Sequence, residues 1–172
     1  LSFLQNIFGE TRQRAALDPL YRAIVALGRD PAWYRAGVPD TLDGRFDMVA
    51  AIMALVLLRI EAEGEAGRGP CVLLTEIFID DMDGTLRQIG IGDYVVGKHV
   101  GRMVSALGGR LAAFRDARAQ GGFAGAVRRN VFHDSPPSGE AVGTVAARLE
   151  RVAAALDATP LAALLAGALP TL

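Results

Sequence analysis

The sequence predicts an all-α protein, a compact single-domain helical bundle of about six to eight helices. Three observations predict it. Of the 172 residues, 51% are hydrophobic and only 6% aromatic, so small aliphatic side chains must build most of the core. Alanine and leucine are plentiful and β-branched residues are thinner, which favours helix over strand. Apolar residues recur at three- and four-residue spacing, with no repeat and no alternation of strand and helix. The length fits one domain, read here as an N-terminal amphipathic segment at 1–10 and a helical domain at 11–172.

The elements follow in order. Phe3, Leu4, Ile7 and Phe8 fall at helical spacing and make a short apolar face. Two readings stay open: a terminal turn packed on the body, or a foot that docks on a membrane surface or partner. A helix is expected over 18–29, with Asp18 as N-cap, Pro19 in the first turn, and Leu20, Ile24 and Leu27 on one face. A loop at 30–44 is punctuated by Pro31, Gly37, Pro39 and Gly44. Trp33 and Tyr34 inside it either anchor the loop on the core or form an exposed binding pair. Residues 43–63 read as the central helix, apolar nearly all round until Arg59 and ended by Gly64 and Gly67. Its apolar run, Met48 to Leu58, is bounded by Asp47 and Arg59. Spanning a bilayer takes about 20 apolar residues, so this is a core helix.

Helices at 71–89 and 94–119 come next, and the break at 120–122 precedes a shorter one near 123–132. "HDSPPSG", 133–139, is a loop. Helices near 140–157 and 161–168 close the chain, the last opened by Pro160.

The charges exclude several classes of function. Net charge is −1, so no global field recruits nucleic acid or an acidic membrane. Cys71 is the one cysteine, which forbids an internal disulfide and reads as a small buried hydrophobe. His99 and His133 have no Cys or His at ligand spacing, so neither a metal nor a cofactor is expected. "LSFLQNIFG" has no basic start and meets charge at Glu10, so it does not read as a secretory signal.

Two motifs within residues 78–99 advertise phosphate chemistry. Asp81-Met82-Asp83-Gly84-Thr85 spells the aspartate-nucleophile motif of haloacid-dehalogenase-like phosphatases. That chemistry needs the first Asp at the end of a buried strand, with the second as acid and base. Glu76, Asp80, Asp83 and Arg87 instead step by four, three and four, the polar stripe of a helix. Leu74, Phe78, Met82, Leu86 and Ile89 fall on the opposite side. After Asp83 no two carboxylates stand adjacent or four apart to hold Mg²⁺, and Lys98 follows too soon for an intervening βα unit.

The second motif, Gly92 to Lys98, nearly spells a phosphate-binding loop, but His99 stands where a Ser or Thr should bind Mg²⁺. Tyr94, Val95 and Val96 pack rather than cradle, and Asp93 suits an N-cap. A phosphatase or nucleotide binder using residues 80–99 is therefore the alternative reading, and a helical adaptor a third.

Asp81 lies within the apolar side of its helical wheel, between Ile77 and Leu74, and Arg59 projects from the apolar central helix. Such charges are costly unless paired. Either a structural ion pair satisfies them or they face a partner.

"LLRIEAEG" at 57–64, "FIDDM" at 78–82, "LRQIGIGDYVVGKHV" at 86–100 and "AGAVRRNVF" at 124–132 occur in this order. Together they resemble the ubiquinol–cytochrome c chaperone family, over roughly residues 18–135. The resemblance implies a non-enzymatic assembly factor for the cytochrome bc1 complex that holds newly made cytochrome b near the membrane. A second assembly subunit would be a further partner. Carried over by position, the family pattern falls on Arg59, Glu63 and Gly64, on Asp81, Arg87, Gly90, Tyr94 and Lys98, and on Arg129. The leader lacks the look of an organelle transit segment and no strongly basic tail is seen. The expected home is the bacterial cytoplasm at the cytoplasmic face of the inner membrane, with peripheral contact through Phe3, Leu4, Ile7 and Phe8.

Overall fold

The computed structural model describes the backbone of residues 2–88 and 93–172, and the side chains of residues 12–85 and 100–172. Eight helices follow one another: α1 (Ser2–Gly28), α2 (Pro31–Arg35), α3 (Leu42–Glu61), α4 (Glu65–Gln88), α5 (Asp93–Gln120), α6 (Ala124–Asn130), α7 (Gly139–Ala158) and α8 (Leu161–Leu165). No strand occurs among the described residues, as the fold class predicted.

Helix α3 is the axis of the bundle. Thr41 opens it by accepting from the Gly44 N–H at 3.1 Å, which satisfies a donor that the first turn leaves free. From Asp47 to Ile60 every residue is buried, and α1, α4, α5 and α7 pack around the helix. A helix buried on all sides has no polar face, which is why its sequence shows no amphipathic stripe.

The helix expected over 18–29 does not begin at Asp18. Helix α1 runs through Pro19, and Leu17, Leu20, Tyr21, Ile24 and Leu27 form one buried face across it. Proline removes a single backbone donor there, and Pro19 itself is exposed. Gly28 ends the helix against α3: a Cβ at Gly28 would lie 2.7 Å from Val49 Cα, so the close crossing requires glycine.

The expected loop at 30–44 contains a short helix. Asp30 caps α2 through the Ala32 N–H at 2.8 Å, and Pro31 stands in the first turn. Trp33 is fully buried with its Nε1 donating to Leu27 O at 2.7 Å, while the Tyr34 hydroxyl reaches Gly28 O. Both aromatics anchor the segment to α1.

Helix α4 starts at Glu65, six residues earlier than the expected 71. Gly64, at φ +64°, reverses the chain after α3, and Gly67 does not end the preceding helix as its type suggested. It lies inside α4, where a Cβ would sit 2.0 Å from Ile60 O; its bare backbone lets the first turn of α4 lie on the end of α3. Ser138 caps α7 through Ala141 N at 3.0 Å. The last turn folds back so that Gly167 touches the backbone of Pro19 and Leu20.

Candidate functional site

Helix α4 carries the residues on which the competing readings turn. It is one uninterrupted helix from Glu65 to Gln88, so Asp81 and Asp83 lie inside a helix and not at a strand end. Leu74, Phe78 and Met82 are buried while Glu76 and Asp80 are exposed, as the stripe predicted. The geometry that an aspartate phosphatase needs at Asp81 is absent. In the second motif, Asp93 to Lys98 belong to helix α5, whereas a phosphate loop requires open backbone N–H groups there.

Asp81 departs from its expected place on the apolar side. It is exposed at the boundary, and its Oδ2 accepts from the Tyr21 hydroxyl at 2.7 Å. Burial pushes the Tyr21 phenol well above its ordinary range, and the bond to Asp81 pushes it further. Beside it Arg14 pairs with Asp80. Two contacts thus fasten α1 to the acidic face of α4.

Arg59 is paired, but not with Asp81. Its Nε donates to Leu156 O at 3.0 Å and its Nη2 to Thr159 O at 2.9 Å, both at the end of α7. Nη1 meets Glu63 Oε1 at 2.6 Å, one helical turn on. The guanidinium closes the C-terminal end of α7, where Leu156 O also takes the Thr159 N–H and Thr159 O lies past the last turn. Glu63, Gly64 and Arg129 are exposed. The side chains of Phe3, Leu4, Ile7, Phe8, Arg87, Tyr94 and Lys98, and Gly90 with them, lie outside the described residues.

Sequence reasoning missed a second charged cluster. Asp47 of α3 and Arg110 of α5 each have only 4% of their side chain exposed, and they form an ion pair. Arg110 also donates to Asn130 O at 2.9 Å and Ala106 O at 3.1 Å, and lies 5.6 Å from the Phe46 ring centroid. The second Asp47 oxygen meets His133 Nε2 at 2.7 Å. Burial pushes the Asp47 carboxyl up, and Arg110 and His133 pull it back. Burial likewise pushes Arg110 down against the pull of Asp47. One signal was available: Leu107, Arg110, Phe114 and Ala117 step by three, four and three, placing Arg110 in the buried stripe of α5.

A shallow groove of about 370 Å³ runs between the end of α5 and α7, lined in part by Arg118, Phe123, Glu150 and Asp157. Glu150 accepts from Phe123 N at 2.8 Å, and Arg118 reaches Asp157 at 3.3 Å. Among the described residues, no helix is long and apolar enough to cross a membrane.

Fold and site together define an all-α bundle in which the buried charges tie helices to one another and α4 shows an acidic face to solvent. The sequence profile of the ubiquinol-cytochrome C chaperone family matches residues 35–171. The crystal structure of the Cbp3 homolog from Brucella abortus is similar with a TM-score of 0.77 and 28% identity, covering 99% of this chain and 96% of that one. No curated protein matches the chain. The chain belongs to the ubiquinol–cytochrome c chaperone family.

Proposed function

We propose that this protein is a non-enzymatic assembly chaperone for the cytochrome bc1 complex, holding newly made cytochrome b or a similar apolar client at the cytoplasmic face of the membrane. The family match over residues 35–171 carries the reading. The helical setting of Asp81 and Asp83 supports it, because it removes the main argument for phosphate chemistry. Glu63, Gly64, Asp81 and Arg129 are exposed and are the proposed partner-facing positions, with Arg87, Gly90, Tyr94 and Lys98 as further family positions. Cytoplasmic loops of membrane proteins carry an excess of Lys and Arg, which suits the acidic face formed by Glu76, Asp80 and Asp81. Arg59 acts through structure, holding the corner on which Glu63 stands.

The direct test is capture of the tagged protein from native membranes made with and without cytochrome b. Co-purification of cytochrome b with the chaperone is the expected result. Failure to retain it, with the bc1 complex assembling normally in a deletion strain, overturns the reading. The proposed membrane foot is tested by deleting residues 1–9. The fold should persist and co-sedimentation with membranes should fall, because an apolar face of that size contributes only a few kcal/mol of docking.

A further inference from the structure

Helix α1 already lays a cation on the acidic face of α4. Arg14, Leu17 and Tyr21 step by three and four, so they share one side of α1. Leu17 and Tyr21 are buried, and the Tyr21 hydroxyl donates to Asp81 Oδ2 at 2.7 Å. Burial and Asp81 hold that phenol far above its ordinary value, so it stays a donor at neutral pH. Two turns earlier, the Arg14 guanidinium pairs with Asp80. The two contacts differ in kind. Tyr21 is a fixed anchor, whereas 39% of the Arg14 side chain and 63% of the Asp80 side chain are exposed. Such a pair is screened by salt and contributes little to stability, so another cation can replace Arg14 at small cost.

We propose that Arg14 is an internal guard on the acidic face, holding Asp80 until a basic segment of the client displaces it. This rests on the reading of Glu76, Asp80 and Asp81 as the face that receives Lys- and Arg-bearing segments. The face accepts a guanidinium in the geometry present, because α1 supplies one.

The guard sets what a client must bring. Arg14 is held beside Asp80 by its own chain, so a free cation competes against an intramolecular partner. A segment with one cation exchanges one exposed ion pair for another and gains almost nothing. A segment with two also reaches Glu76, exposed on α4 one turn before Asp80 and about 6 Å away along the axis. An extended chain covers that distance in about two residues. Cations at alternate positions of an extended segment therefore match the face.

The probe is a synthetic peptide of alternating arginine and serine, titrated into the full chain at about 0.1 M salt. Backbone amide resonances of α4 report the binding, and those around Glu76 and Asp80 should shift. Arg14→Gln should tighten binding about three- to fivefold, the range that removal of one exposed competing pair allows. Arg12→Gln removes the same charge from an exposed position two residues earlier and should leave the affinity almost unchanged. Asp80→Asn should weaken binding, and adding Arg14→Gln to it should have no further effect. Equal affinity of wild type and Arg14→Gln overturns the guard. An equal gain from Arg12→Gln overturns it too, because the effect would then be one of net charge. A peptide that shifts no α4 amide in wild type or in Arg14→Gln overturns the acidic-face reading itself, and the guard with it.

Discussion

Arg110 and Asp47 form a buried ion pair whose members depend on each other. Arg110→Met would leave Asp47 almost fully buried with only His133 beside it, and breaking such a pair costs about 3–5 kcal/mol. The pH dependence has a definite sign. Burial already raises the Asp47 carboxyl above its ordinary value, and removing Arg110 takes away the largest opposing pull. A raised carboxyl makes the folded state bind more protons than the unfolded one, so its contribution is full at acid pH and lost as pH rises through the folded value. The loss of stability in Arg110→Met should therefore shrink on acidification, and Arg110→Met with Asp47→Asn should not show this; denaturant melts across pH check both.

Arg59→Met is the milder case, expected at about 2 kcal/mol because it strands the Thr159 carbonyl, while Leu156 O keeps the Thr159 N–H and Glu63 stays part-exposed. An unchanged urea midpoint would show that the corner holds without it. The need of Arg59 for a partner was legible, since it interrupts an apolar helix. Its identity was not, because two of the three acceptors are backbone carbonyls about a hundred residues away. Asp81 was placed too deep because a wheel drawn for α4 alone cannot show Tyr21 arriving from α1.

At the scale of elements, periodicity located the helices and glycine misled at their ends. The stripe of α4 was plain, because that helix has one wet and one dry side. Helix α1 was cut short because Pro19 and a nearby Asp spell a helix start, and only packing against α3, α4 and α8 carries the helix through. Gly64 and Gly67 look alike in sequence, yet one turns the chain and the other admits a neighbouring carbonyl. Space therefore decides what an added methyl does. Gly28→Ala drives a Cβ into the Val49 backbone and should destabilise by about 2–3 kcal/mol. Gly143→Ala, inside α7 with nothing within 4 Å, should stabilise by about 0.5–1 kcal/mol. Opposite shifts in melting temperature would confirm that crowding and helix propensity are separable here.

At the scale of the molecule, buried residues from α1, α3, α4, α5, α6, α7 and α8 join one core cluster, with Trp33 of α2 inside it. A core shared so widely should melt as a unit. The near-ultraviolet signal of Trp33 and the helical far-ultraviolet signal should lose amplitude at the same denaturant concentration. Separate midpoints would mean that some helices leave the core earlier than the rest.

The single cysteine offers a way to watch the bundle open. Cys71 sits half-buried on α4, its Sγ 3.7 Å from Leu57 O of α3. Burial, helped by the charge of Glu61, pushes its thiol up to about 11. At neutral pH almost none of it is thiolate, the form that alkylating reagents attack. Its modification in the closed bundle should therefore be slow and should accelerate whenever α4 lifts from α3. The thiol then acts as a built-in stopwatch: if a client is seated by parting these two helices, labelling should quicken as the client arrives, and if it settles on the outer face of α4 the labelling rate should hold.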